Sequence, residues 1–230
     1  MGYLRNKAAV LQYQNICEDE ANFLDTWIHY KYFEEQLVYF SKNSIPIIPL
    51  RDVDAYLRGR LHVGKQSFSL TFDTGFVELY TICYPLLKKY GYPATFFIRP
   101  DTIGNTEEIH DRKVQYMNWD QIRELESEGI AIGMYGCKGR WLSKTPLEEV
   151  RNEIIEAKTL FKRELARPFV YYGVREGNPT AEMINLFKEE GIKAVFCQAP
   201  TRKKTHPYTV GRIQIDDNDL NILLIKTRKA

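Results

Sequence analysis

The run SFSLTFDTGF (67–76) places a carboxylate, Asp73, directly after an apolar alternation from Phe68 to Phe72 and two residues before Gly75. Period-two alternation marks a strand, and an acid at its end beside a turn glycine is delivered to the rim of a sheet or barrel. A carboxylate so placed can act as a general base, hold a sugar hydroxyl, or accept the backbone amides of its own turn. Tyr135 closes IAIGMY (130–135), Tyr171 and Tyr172 end FVYYG (169–173), and Trp141 follows in a loop. Aromatic faces suit the apolar C–H side of a pyranose and phenol hydroxyls its edges, although the same rings can simply pack the space at strand ends. Arg175 and Glu176, in the loop after Tyr172, and Arg212, in VGRIQI (210–215), can bind carboxylate or hydroxyl groups or form ordinary ion pairs.

Seven β-type runs must position these groups: 8–13, 68–73, 94–98, 130–135, 169–173, 193–197 and 210–215. Helical patterns separate most of them. The stretch 33–43 has apolar residues at helical spacing, and 77–91 ends on two lysines and Gly91, ordinary C-terminal chemistry. Asn118 caps 118–129. Thr145, Pro146 and Glu148 predict a capping box at the start of 145–165, and 178–191 stops at Gly191. Strands alternating with such helices imply parallel βαβ units. The expected fold is therefore α/β, a distorted and incomplete (β/α)7 barrel, with residues 1–230 as a single domain of ordinary size. Strand C-termini of a parallel barrel share one face, so Asp73, Tyr135 and Tyr172 are expected at one mouth.

Composition narrows the function. Lys plus Arg number 32 against 30 Asp plus Glu, a balance that argues against nucleic acid as a partner. Cys17, Cys83, Cys137 and Cys197 are widely spaced, so neither a zinc knuckle nor a disulfide framework is indicated. The first residues lack the apolar run of a signal peptide, and no segment has the length of a membrane span. A cytoplasmic protein is the expectation.

Taken in order, LTFDTG, ATFFIRPDTIG and MNWDQIRELESEGIAIGMYGCKGRWL, then LEEVRNEIIEAKTLF and FVYYG, resemble the motifs of the polysaccharide deacetylase (NodB-homology) family. AVLQYQNI and FEEQLVYFSKNSIPIIPLRDV are similar to the start of a subgroup acting on exopolysaccharide amino sugars. The resemblance spans roughly residues 8–215 and implies a metal-dependent carbon–nitrogen hydrolase on a distorted barrel. Family enzymes hold a divalent metal, usually zinc, with one aspartate and two histidines, and use another aspartate as base against an N-acetyl group. Asp73 matches the base. The metal-ligand positions carry Thr74, Tyr135 and Gly139, and the Pro-Tyr-Gly proline is Tyr171. Gln14 replaces an N-terminal motif histidine, Lys226 stands near the place of a late one, and Arg212 resembles an arginine of the subgroup.

A hydroxyl, a phenol and a hydrogen cannot do the work of a carboxylate and two imidazoles. His29, His62, His110 and His206 lie outside the predicted strand ends and read as incidental. The resemblance with these departures implies a deacetylase-fold homologue without a metal cofactor. It would serve as a carbohydrate-binding or scaffolding component, with an amino sugar as the conceivable ligand and any protein partner unidentified. The substrate-binding candidates are Tyr135, Trp141, Tyr171, Tyr172, Arg175 and Arg212. The competing expectation is an active N-deacetylase using Asp73 with an unfamiliar electrophile.

Overall fold

The computed structural model describes residues 7–18, 26–175, 177–197 and 206–215. Strand β1 (Ala8–Tyr13) is followed by the short pair β2 (Asn15–Cys17) and β3 (Trp27–His29), then α1 (Tyr30–Lys42), α2 (Leu50–Leu57) and β4 (Ser67–Phe72). A π-helical turn, Leu79–Cys83, runs into α3 (Tyr84–Tyr90) and β5 (Ala94–Ile98). The hairpin β6 (Thr106–Ile109) and β7 (Arg112–Gln115) precedes α4 (Trp119–Ser127) and β8 (Ala131–Tyr135). The chain continues with α5 (Leu147–Leu165), β9 (Tyr171–Gly173), α6 (Ala181–Glu189), β10 (Ala194–Cys197) and β11 (Val210–Gln214).

Seven strands close a barrel in the order β1, β11, β10, β9, β8, β5, β4, and every neighbouring pair is parallel. The expected (β/α)7 barrel is thus present. Its seven strands contain or overlap the seven runs read from the sequence, with ends trimmed by one or two residues.

Two local expectations change. The helix foreseen over 77–91 begins as a π turn, because Pro85 has no N–H and cannot continue a regular ladder into the segment before it. At α5 the cap residue is Pro146, which offers no side-chain bond, whereas the Thr145 hydroxyl donates to the Trp141 carbonyl at 3.0 Å. The capping box foreseen there does not form. The cap foreseen at Asn118 does form, and as a full box: its side chain accepts from the Gln121 amide at 3.0 Å while Gln121 accepts from the Asn118 amide at 2.9 Å.

Period-two alternation divides the buried residues between two layers. One lies between barrel and helices and includes Leu11, Phe72, Phe96, Met134, Tyr172 and Cys197. The other fills the barrel with Val10, Phe97, Tyr135, Tyr171, Phe196 and Val210. Phe97 sets the interior width. A Cβ on Gly133 or Gly173 would stand 2.7 or 2.8 Å from its ring, so β8 and β9 carry glycine where that ring crosses.

Candidate functional site

The C-terminal end of the barrel gathers residues from five of its strands or the turns that follow them. Asp73 follows β4, Gln12 lies near the end of β1, Tyr135 ends β8, Val174 follows β9, and Arg212 is in β11. Arg212 reaches Asp73 through two parallel bonds: Nη1 donates to Oδ1 at 2.6 Å and Nη2 to Oδ2 at 2.9 Å. Nη2 also donates to the Val174 carbonyl at 3.0 Å, and Gln12 Nε2 donates to Asp73 Oδ2 at 2.7 Å. The guanidinium lies over the Phe97 ring, 5.3 Å from its centroid. Side-chain exposure is 0% for Arg212 and 2% for Asp73, so the pair is sealed from solvent. Burial pushes the Asp73 carboxyl up, and Arg212 and Gln12 pull it back.

The residue after the acid is strained. Thr74 has φ of 73°, left-handed backbone that a β-branched residue adopts only under constraint. Its hydroxyl donates back to the Asp73 carbonyl at 2.6 Å, and its own carbonyl accepts from the Arg99 amide at 3.2 Å. Gly75 follows at φ of 93°, where a Cβ would stand 3.0 Å from Ile98.

Tyr135 is 3% exposed and lies within the barrel, close enough for the Asp73 charge to act on it. Burial chiefly, then Asp73, hold its phenol protonated far above the ordinary tyrosine range. Gly139 ends a turn in which Cys137, Lys138 and Gly139 all have positive φ. Glu153 of α5 holds that turn, its two oxygens accepting from the Cys137 amide at 2.9 Å and the Lys138 amide at 3.2 Å. A Cβ on Gly139 would meet nothing within 4 Å.

These residues do not fit the divalent metal that the motif pattern implies. Thr74 turns its hydroxyl onto backbone, Tyr135 stays protonated, Gly139 has no donor, and both Asp73 oxygens are taken by Arg212, one of them by Gln12 as well. Among the described residues no group of three or more His, Cys, Asp or Glu is placed to hold a metal ion.

Of the other expected sugar contacts, only Arg212 and Tyr135 join Asp73. Tyr171, read as a sugar-contact candidate beside the mouth, instead opens β9 at the opposite end of the barrel and packs edge-on against Phe196. Tyr172 alternates outward, is fully buried, and packs on Phe187 and against Cys137 Sγ at 3.7 Å. A ligand at the mouth has no access to it. Trp141 stands on the surface under Lys144, whose Nζ lies 4.1 Å from the ring centroid. Arg175 is exposed beyond β9, while Glu176 and Lys226 lie outside the described residues. Gln14 accepts from the Thr26 hydroxyl. His29, read from the sequence as incidental and away from strand ends, instead is buried, ends β3 and caps α1, its Nδ1 accepting from the Lys31 amide at 3.3 Å.

Gln12 and Glu153 were not singled out by sequence reasoning. A lone amide inside an apolar strand such as AAVLQY was the available signal for Gln12. Glu153, one of many acids on a helix, carried none.

The model of the polysaccharide deacetylase family matches residues 61–195, more than half of the chain. The chain belongs to that family. It is 24% identical to YxkH of Bacillus subtilis over 131 residues, 57% of this chain and 44% of YxkH. To the poly-beta-1,6-N-acetyl-D-glucosamine N-deacetylase of Staphylococcus aureus it is 25% identical over 142 residues, 56% of this chain and 47% of the relative. The alignments thus span about half the length of these curated relatives. Among solved structures, IcaB from Ammonifex degensii superposes with a TM-score of 0.80 at 20% identity, covering 97% of both chains. The Streptococcus pyogenes deacetylase PplD gives 0.78 at 18% identity over 97% of this chain and 98% of that one. At such identities the likeness shows the barrel fold and leaves the chemistry to the residues of the site. No helix among the described residues is long and apolar enough to cross a membrane.

Proposed function

We propose that this polysaccharide deacetylase homologue is non-catalytic and works in polysaccharide metabolism by binding a glycan or scaffolding the proteins that handle one, without a metal cofactor. The observation that carries this reading is the closure of the acid: Asp73 is clamped by Arg212 and Gln12 and buried at the barrel mouth. A general base must come within about 2.6–3.2 Å of the proton it takes. A carboxylate with both oxygens occupied and 2% exposure does so only if Arg212 or the backbone moves. Polarising an N-acetyl carbonyl further requires a cation or directed donors at the developing oxyanion. The metal-ligand positions supply Thr74, Tyr135 and Gly139 instead.

The Staphylococcus aureus relative is named for N-deacetylation of poly-beta-1,6-N-acetyl-D-glucosamine, which supports β-1,6-linked N-acetylglucosamine as the glycan to test. Incubating the chain with oligomers of that linkage and Zn²⁺ should release no acetate above the protein-free background. Release abolished by Asp73→Asn would establish the hydrolase reading in its place.

A further inference from the structure

Away from the mouth, around the N-terminal ends of the strands, a cleft of about 660 Å³ opens between α2, α6 and the segments entering β10 and β11. Its walls carry Arg51, Arg58, Arg60, Lys188 and Lys193 against one carboxylate, Asp54. Five cations to one acid contrasts with 32 to 30 for the whole chain, so the cleft wall is markedly positive.

The single acid is already committed. Asp54 is 5% exposed, accepts from Arg58 Nε at 2.7 Å and lies 3.7 Å from Arg60. Among the described residues the ion-pair partner of Arg51 is the half-buried Asp52 at 3.9 Å, which is not part of the cleft wall. Lys188 lies over the Tyr208 ring at 5.7 Å, and among the described residues neither it nor Lys193 has a carboxylate partner. Tyr171 adds the phenol: its ring packs inside the barrel, yet Asp54 and Arg58 act on its hydroxyl from the cleft. The volume lies within the usual range for small-molecule sites, about 300–1,000 Å³.

We propose that this cleft binds an anionic saccharide unit, one bearing a phosphate or a carboxylate. Lys188, Lys193 and Arg60 would face the charge, and the Tyr171 hydroxyl would bond the ring edge. Arg58 stays with Asp54 and the Lys193 carbonyl, to which its Nη2 donates. Tyr171, expected from sequence to touch sugar, would do so at the end of the barrel opposite Asp73. The proposal does not depend on whether Asp73 is catalytic.

The test is calorimetric titration of the full chain, at low salt, with glucose 6-phosphate, glucuronate and glucose. At least one charged sugar should bind one-to-one and glucose should not. Which of the two binds more tightly distinguishes a phosphate from a carboxylate ligand. Lys188→Ala with Lys193→Ala should weaken binding at least tenfold, the loss expected when charge-assisted contacts go, with an unchanged melting temperature. Tyr171→Phe keeps the ring packing and should weaken binding severalfold. Equal binding of glucose and the charged sugars, no binding of any, or full affinity in the lysine double variant would overturn the proposal.

Discussion

Arg212 and Asp73 form a two-pronged ion pair, 2.6 and 2.9 Å long, in which neither side chain is more than 2% exposed. Planar guanidinium and carboxylate match edge to edge, and the Val174 carbonyl takes a further Arg212 hydrogen. The pair ties β11 to the end of β4, the two strands that flank β1 in the closed barrel. Both Asp73 oxygens are engaged by Arg212.

Removing one member strands the other. Arg212→Met should destabilise the protein by about 3–5 kcal/mol, and Asp73→Leu by a similar amount. Asp73→Leu with Arg212→Met should recover most of that loss, because two buried charges leave together. Urea denaturation of the three variants checks this, and additive losses in the double variant would argue against the coupling.

The motif resemblance sets Thr74, Tyr135 and Gly139 at the family's metal-ligand positions, which makes restoration a direct trial. Thr74→Asp, Tyr135→His and Gly139→His together should create one-to-one Zn²⁺ binding, and each alone should create none. Histidine at residue 139 inherits a φ of +73°, costing roughly 1–2 kcal/mol, but no heavy atom blocks its Cβ. Calorimetry with Zn²⁺ reads the outcome.

Thr74 stores backbone strain in the same turn. Thr74→Gly should raise the unfolding free energy by about 1 kcal/mol once the extra freedom of glycine in the unfolded chain is counted, seen as a higher urea midpoint with an unchanged dependence on denaturant. A fall in stability would show that the bond from the Thr74 hydroxyl to the Asp73 carbonyl outweighs the strain.

Burial pushes the Cys83, Cys137 and Cys197 thiols up, Cys197 to about 12 from an ordinary 9.0. Above pH 9 the unfolded chain loses thiol protons that the folded chain retains, so stability is full below that pH and falls as pH rises toward the folded value. Cys197→Ala should flatten the alkaline slope of the melting temperature between pH 9 and 11. An unchanged slope would mean that Cys197 ionises as readily in the folded protein as in the unfolded one.

The barrel was legible because strand periodicity and helix caps are local: the Asn118 cap, the left-handed Gly91 stop and each apolar run need only their neighbours. Of the residues singled out in the sequence, Asp73, Arg212 and Tyr135 converge at the barrel mouth. What failed was direction. Tyr171 and Tyr172 are consecutive in a strand, so their side chains must leave on opposite faces, and no shared mouth could hold both. The Arg212–Asp73 bond was beyond reach, since 139 residues separate the pair and only the closed strand order brings them together.

The most direct measurement is calorimetric titration of the unmodified full chain with Zn²⁺, Co²⁺ and Ni²⁺, with Asp73→Asn beside it. A mouth whose acid is sealed by Arg212 predicts no stoichiometric binding in either protein. Tight one-to-one binding that Asp73→Asn removes would contradict it and restore the chain to the metal hydrolases.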